Sequence, residues 1–405
     1  MQKIARKVGG QPRVDPADRD TIPLFSYGFR PFFLGAAVWA VVAIAVLMGS
    51  LAGIFGFAPG YGALAWHGHE MLFGYASGVV AGFLLTAVPN WTGRLPVAGR
   101  RLALLFALWC LGRFAFLTIS VTGVLPAVLI DSAFLPILLL VMGREIVAGH
   151  NWRNLKPLIL VGVLAVANIA FHAEVLIAGT PDIGLRSGVA GLVALIVLIG
   201  GRITPSFTHS WLLRTGSPAL PASFGAPDVI GLLASGLALL SWIAAPGAKV
   251  TAFLFLVAAA ALVVRLGRWE GVRIWRETLL LALHVGYGFV PLGFLLGAVA
   301  ILVPGSFGGT AALHAWTVGA VGLMTLGVMT RATRGHTGRE LKASLVTTTI
   351  YCAMVAAALL RIGAGAFPDD YMFLIVAAGA AWSAAFALFL FEYSPMLLRP
   401  RLEPS

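Results

Sequence analysis

Long apolar runs, broken by Arg, Pro and Gly, set the pattern of the chain from residue 30 to residue 391. A helix needs about 20 residues to cross a hydrocarbon core of about 30 Å, and twelve runs approach or exceed that length. They predict membrane spans at 30–55, 64–89, 102–120, 124–143, 156–178, 184–203, 226–245, 248–266, 278–303, 310–330, 342–362 and 370–391. An even number places both termini on one side. With the N-terminus inside, the inner segments take 24 of the 28 Lys and Arg, all but Arg113, Arg186, Lys249 and Arg361. That partition is the positive-inside signature, and one missed or extra span would invert every later segment. The expected fold is an all-α, polytopic integral membrane protein of about twelve transmembrane helices, N-in and C-in. It comprises a cytoplasmic N-terminal segment (1–25), one membrane domain (26–395) and a cytoplasmic tail (396–405). A Pro-, Ser- and Gly-rich cytoplasmic connection over 204–225 divides the domain into halves, 26–203 and 226–395, between which no motif repeats convincingly.

Composition agrees with this pattern. The chain is 59% hydrophobic and 11% charged, with a mean hydropathy of +0.93, whereas soluble domains carry about 25% charged residues. No sizeable soluble domain fits between the spans. The formal charge of +12 would suggest nucleic acid in a soluble chain; here it belongs to the inner loops, and no nucleic-acid partner is expected. Cys110 and Cys352 both lie in apolar runs, which excludes a disulfide framework or a zinc ribbon. The first twenty residues lack the apolar core of a cleaved signal peptide. Abundant Gly and Ala within the spans serve close helix packing in lipid.

Ionisable residues inside spans are costly and are functional candidates by default, which directs attention to the histidines. At about 1.5 Å rise per residue, His67 and His69 open span 2 from the outer side, His314 lies just inside span 10 from that side, and His172 sits near the outer end of span 5. These four, on three helices, share one level. His150, His209 and His336 fall in inner segments. His284 lies roughly 10 Å into span 9 from the inside, where Gly286, Gly288 and Pro291 loosen the helix. Imidazole is the commonest ligand for haem iron, copper or zinc. Residues two apart on a helix point about 200° apart, so His67 and His69 do not clasp one ion; His67 shares a face with Glu70, Gly74, Gly78 and Ala81, and His69 faces Phe73, Ala76 and Val80. One histidine of the pair could thus bind a haem while its neighbour reaches a second metal. A ligand histidine usually donates its other N–H to an acceptor, for which Glu70, Asn168 and Glu174 are available; Glu70 and Glu174 are alternatively proton donors. Arg113 and Asp131 reach similar depths on spans 3 and 4 and predict an intramembrane ion pair, structural rather than a proton relay. Arg30, Arg94, Arg202, Arg331 and Arg334 stand at inner span ends, where a haem propionate would find them, although nothing in the spacing selects one.

The segment WHGHEMLFGYASGVVAGFLLTAVPNWTG (66–93) strongly resembles the NnrS family of bacterial membrane proteins. The blocks YGFRPFF (27–33), GGRITPSFT (200–208), LHVGYGF (283–289) and LHAWTVGAVGLMTLGVMTRATRGHTGR (313–339) reinforce the resemblance over most of the chain. It implies a twelve-span haem- and copper-containing protein of the bacterial inner membrane, linked to denitrification, nitric oxide and nitrosative stress. By motif position it points to His67, His69, Glu70, Arg202, His284, His314, Arg331 and His336. Twelve spans with outer histidines also distantly resemble haem-copper oxidase subunit I and nitric oxide reductases, but those place two histidines close together on span 10 and adjacent ones on span 7. Here span 10 has one in its outer half and span 7 none. The expectation is a haem b and copper protein that binds or converts nitric oxide, with a metal site near the periplasmic side and an electron donor not specified by the sequence. With that resemblance, His67 and His314 are expected toward haem, His69 and His172 toward copper, and His284 as a replacement for any of them, although four outer histidines suit a bis-histidine haem with two ligands left for copper as well as a five-coordinate haem facing a three-histidine copper, and the sequence does not choose. Two other readings stay open: a proton-coupled twelve-helix transporter, and a non-catalytic haem or nitric oxide sensor or metal-delivery protein.

Overall fold

The computed structural model describes residues 22–56, 61–305 and 309–402, every regular element of which is helical. Twelve long helices follow in order: α1 Phe29–Leu51, α2 Gly62–Thr92, α3 Gly99–Leu117, α4 Val124–Ala148, α5 Leu155–Ala178, α6 Asp182–Arg214, α7 Ala226–Ala244, α8 Lys249–Gly267, α9 Thr278–Leu302, α10 Gly309–His336, α11 Leu345–Gly363 and α12 Tyr371–Leu398. Eleven are long and apolar enough to cross a membrane; α3 is the exception, because Arg100, Arg101 and Arg113 lie within its 19 residues. Each matches one predicted span to within a few residues at its outer boundary. Residues 1–21 and 403–405 of the expected terminal segments lie outside the described residues, and α12 runs two residues past 396 before the chain leaves it.

The largest difference is at the inner end of α6. Residues 204–214, expected in the connection between the halves, continue α6 as helix through Pro205. A proline has no N–H for the carbonyl four residues back, and the Gly201 carbonyl is duly left without its helical donor. Arg265 supplies one. Its guanidinium, 1% exposed, donates to the carbonyls of Gly201 (3.2 Å) and Val197 (2.8 Å), to the Tyr287 hydroxyl (3.0 Å) and to the Asp228 carboxylate (3.0 Å). The side chain stitches α8 to α6, α7 and α9 and lets a polar helix continue past its break.

Successive helices pack side by side, and α1 packs against α12 to close the bundle. Arg30, buried on α1, donates to the carbonyls of Leu397 (2.8 Å) and Arg399 (2.7 Å), acceptors that the end of a helix leaves free. The centre is built from α2 and α10, 78% and 67% of whose apolar windows are buried, against 28% for α4 and α7 at the rim. Both central helices and α6 contain a widened turn, in which hydrogen bonds skip to the fifth residue: Glu70–Ala76, Ala315–Gly322 and Ile196–Gly200. Such turns insert an extra residue and rotate everything beyond them.

Candidate metal centre

Four helices converge where α2 enters its widened turn. His69 and Glu70 come from α2, Arg113 from α3, Asp131 from α4, and Asn168 and His172 from α5; all are buried. Asp131 Oδ2 stands 3.0 Å from His69 Nε2, 3.0 Å from His172 Nε2 and 2.9 Å from Asn168 Nδ2, which donates to it. The other ring nitrogens are held too: His69 Nδ1 lies 2.9 Å from Glu70 Oε1, and His172 Nδ1 lies 2.7 Å from the Tyr61 hydroxyl. Arg113 pairs with Asp131 Oδ1 and lies 3.2 Å from Glu70 Oε2. Phe116 stacks on both imidazoles, at 4.6 Å from His69 and 5.3 Å from His172, while Phe73 and Phe171 close the sides. The expected Arg113–Asp131 pair is therefore present, as one edge of a larger network.

The charges in this dry box do not balance. One guanidinium faces two carboxylates, so with neutral imidazoles the group carries one negative charge in excess. His69 sits with a carboxylate at each nitrogen. A neutral imidazole has one N–H and one lone pair, so it satisfies one of those carboxylates and repels the other. A proton on one carboxyl, a second proton on the ring or a metal ion at Nε2 each resolves the conflict. The donor set of His69, Asp131 and His172, whose ligand atoms all lie within 4.8 Å of one another, suits a transition metal. Glu70 and Tyr61 then serve as the outer partners that fix ring orientation and tautomer.

The widened turn begins at Glu70 and rotates the residues beyond it, Gly74 among them. On a regular helix Glu70, Gly74 and His67 share a face; in the structure Glu70 and Gly74 turn toward His69 and Arg113. A Cβ on Gly74 would lie against Arg113 Nη1, 2.6 Å from Glu70 Oε2 and 2.8 Å from Trp39 Nε1, so only glycine admits this approach. The carbonyl of Gly74 is taken up by the Trp109 indole N–H at 3.0 Å. Ala76 and Val80, expected on the His69 face, instead line a cleft described below.

His67 and His314 are not part of this group. The two lie within electrostatic reach of each other and of Arg361 on α11. His314 Nδ1 is fixed by the Thr310 carbonyl at 2.7 Å, which leaves Nε2 as its free ligand atom, and His67 Nδ1 is buried with no hydrogen-bond partner. The four outer histidines thus divide into two pairs, His69 with His172 and His67 with His314.

Other candidates lie elsewhere. Glu174 offers its two oxygens to the backbone N–H groups of Ile183 (3.0 Å) and Gly184 (2.9 Å), capping α6; its acceptor capacity is spent on a helix terminus. His284 meets Thr208 Oγ1 at 2.9 Å and packs against Trp269. Gly184 touches Phe171, beside His172, and Thr208 is 24 residues further along α6, roughly 36 Å away. His284 is therefore too distant to replace an outer ligand. Arg331 stacks over Phe207 at 4.4 Å and Arg202 over Trp91 at 5.8 Å with a hydrogen bond to Asn154 Oδ1 at 3.2 Å; both stand at the inner end with His284, away from the outer pairs. His336 stacks on Tyr27 at 5.6 Å.

No curated protein matches the chain. The model of the family described as NnrS protein matches residues 23–401, nearly the whole chain and every residue of the two histidine pairs. This twelve-helix protein belongs to the NnrS family.

Proposed function

We propose that the protein is a bacterial inner-membrane metalloprotein that binds nitric oxide, with copper held by His69, His172 and Asp131 and with His67 and His314 as the ligands available to a haem b. Family membership supports a nitric-oxide-related membrane protein in general. The observation that carries the finer reading is the convergence of two imidazoles on one carboxylate oxygen, each ring braced on its far side by Glu70 or Tyr61. Imidazole and carboxylate suit copper, and the carboxyl groups of Asp131 and Glu70 at His69 suit a bound cation. A bound copper would supply one-electron chemistry. This chain's part is to hold the rings, to exclude water through Phe116, Phe73 and Phe171, and to keep a carboxyl, Glu70, at His69 Nδ1.

Haem is less well fitted. His314 has the braced Nδ1 and free Nε2 of an axial ligand, and Arg361 beside it has a buried Nη1 without a hydrogen-bond partner, a natural mate for a propionate. The apolar cleft between α2 and α10, however, holds about 90 Å3, far below the roughly 300–1,000 Å3 of ordinary cofactor pockets.

The test is metal analysis and a reduced-minus-oxidised absorption spectrum of the purified protein, with and without nitric oxide. We expect His69→Ala and His172→Ala to lose copper and retain haem absorption, and His67→Ala and His314→Ala to do the reverse. Full copper in both His69→Ala and His172→Ala would refute the copper assignment, and a spectrum without haem bands in the unaltered protein would refute the haem.

A further inference from the structure

The three widened turns share a neighbour. Between α2, α6 and α10 lies a cleft of about 90 Å3, lined by Ala76, Val79, Val80 and Phe83 of α2, by Leu192 to Ile203 of α6, and by Val321 to Val328 of α10. Its lining is hydrocarbon apart from Thr325, whose hydroxyl is already committed to the Val321 carbonyl (2.7 Å), the Gly322 carbonyl (2.9 Å) and Tyr75 (2.5 Å). Gly200 keeps the floor open, since a Cβ there would lie 2.7 Å from the Met324 methyl. Nothing in such a cleft rewards water, which needs two to four polar partners, whereas dry apolar cavities of comparable size take up xenon and small hydrocarbons.

The rim is as telling as the floor. Val80, Phe83, Ile199, Ile203 and Val328 are half-buried, so the cleft opens along the flank of the bundle where lipid chains would surround it. Two of its three helices, α2 and α10, also carry His67, His69 and His314. Val321 is seven residues past His314 and Ala76 seven past His69, a rise of roughly 10 Å in each case.

We infer that the cleft is a binding site for a small apolar gas molecule and the entry by which such a molecule passes from the bilayer toward the histidines. Its occupant is uncharged, diatomic in size and a poor hydrogen bonder, a chemistry that nitric oxide shares with dioxygen. The identity of the physiological gas rests on the function proposed above; the site itself does not.

Xenon tests the site without reference to any metal. The full-length protein in lipid nanodiscs is equilibrated with xenon and its density recorded, alongside Val328→Trp and Ile203→Trp, rim substitutions that fill the cleft from its lipid side and leave the packed interior alone. We expect a xenon peak between α2, α6 and α10 that disappears in both variants. No peak in the unaltered protein, a peak unmoved by the substitutions, or continuous density of a lipid chain that excludes xenon would overturn the site. In metal-loaded protein, nitric oxide should bind more slowly in Val328→Trp than in the unaltered chain. Equal rates would overturn the entry role. A protein that binds xenon here but never responds to nitric oxide would instead refute the functional proposal and leave the gas site standing.

Discussion

Asp131→Asn is the most informative single substitution. Asparagine keeps the shape but removes a carboxylate that meets Arg113, His69, His172 and Asn168 at once, in a position 2% exposed. Arg113 is left with Glu70 at 3.2 Å as its remaining counter-charge. Breaking a buried ion pair by removing one partner costs about 3–5 kcal/mol, and the retained Glu70 contact places the expected loss toward the lower end. Removing the cation as well, in Arg113→Met/Asp131→Asn, leaves no buried guanidinium deprived of its closest carboxylate, so the pair should show a coupling of about 2–3 kcal/mol in a double-mutant cycle. The assay is reversible unfolding in detergent with copper stoichiometry measured on the folded fraction. If Asp131 is a ligand, copper falls in both the single and the double variant, while stability recovers only in the double. An Asp131→Asn protein that unfolds like the unaltered chain and carries full copper would refute both the ion-pair argument and the ligand assignment.

Three further outcomes follow from the same geometry. Tyr61→Phe removes the partner of His172 Nδ1 and should weaken copper binding about 10- to 100-fold, read by competition with a chromogenic chelator, with little change in folding. Arg265→Met deprives the Gly201 and Val197 carbonyls and Asp228 of their donor; a loss of about 3–5 kcal/mol should appear as a lowered melting temperature and poor yield. Glu277, in the segment before α9, has its carboxyl held above the usual value of 4.5, chiefly because burial disfavours the charged form. A raised carboxyl contributes stability while protonated and loses it as pH rises through the folded value. Glu277→Gln should therefore stabilise the protein at neutral pH and lose that advantage below the ordinary carboxylate range, which thermal melts across pH would show.

Much of the fold was legible because lipid imposes it: twelve apolar runs became twelve helices, and even α3 could be placed despite its three arginines. What failed to read was backbone that departs from regular periodicity. Glu70 pairs with His69 and Arg113, and the widened turn that begins at that residue redirects those beyond it; no apolar period marks such a turn. Residues 204–214 look like a loop, with Pro205 among Thr and Ser, until Arg265 is seen to satisfy the broken ladder. Arg265 itself went unnoticed at the end of its span, where an arginine reads as an ordinary inner-loop charge. The separation of His67 from His69, in contrast, followed from the 200° between them, and the meeting of Arg113 with Asp131 from depth alone. Glu174 was misplaced because spacing cannot tell a free carboxylate from one that caps the next helix.

Every side chain in the His69 cluster comes from α2 to α5, between Tyr61 and His172, whereas the partner of His67 arrives only with α10 and the Arg30 clasp only with the end of α12. During synthesis the two sites therefore become available in a fixed order. The proposed copper site can assemble while more than half the chain has still to be translated, and the proposed haem site must wait for the ribosome. If the copper assignment proposed above holds, a nascent chain arrested after α5 should already retain metal, and the order of the genetic message becomes an order of site assembly.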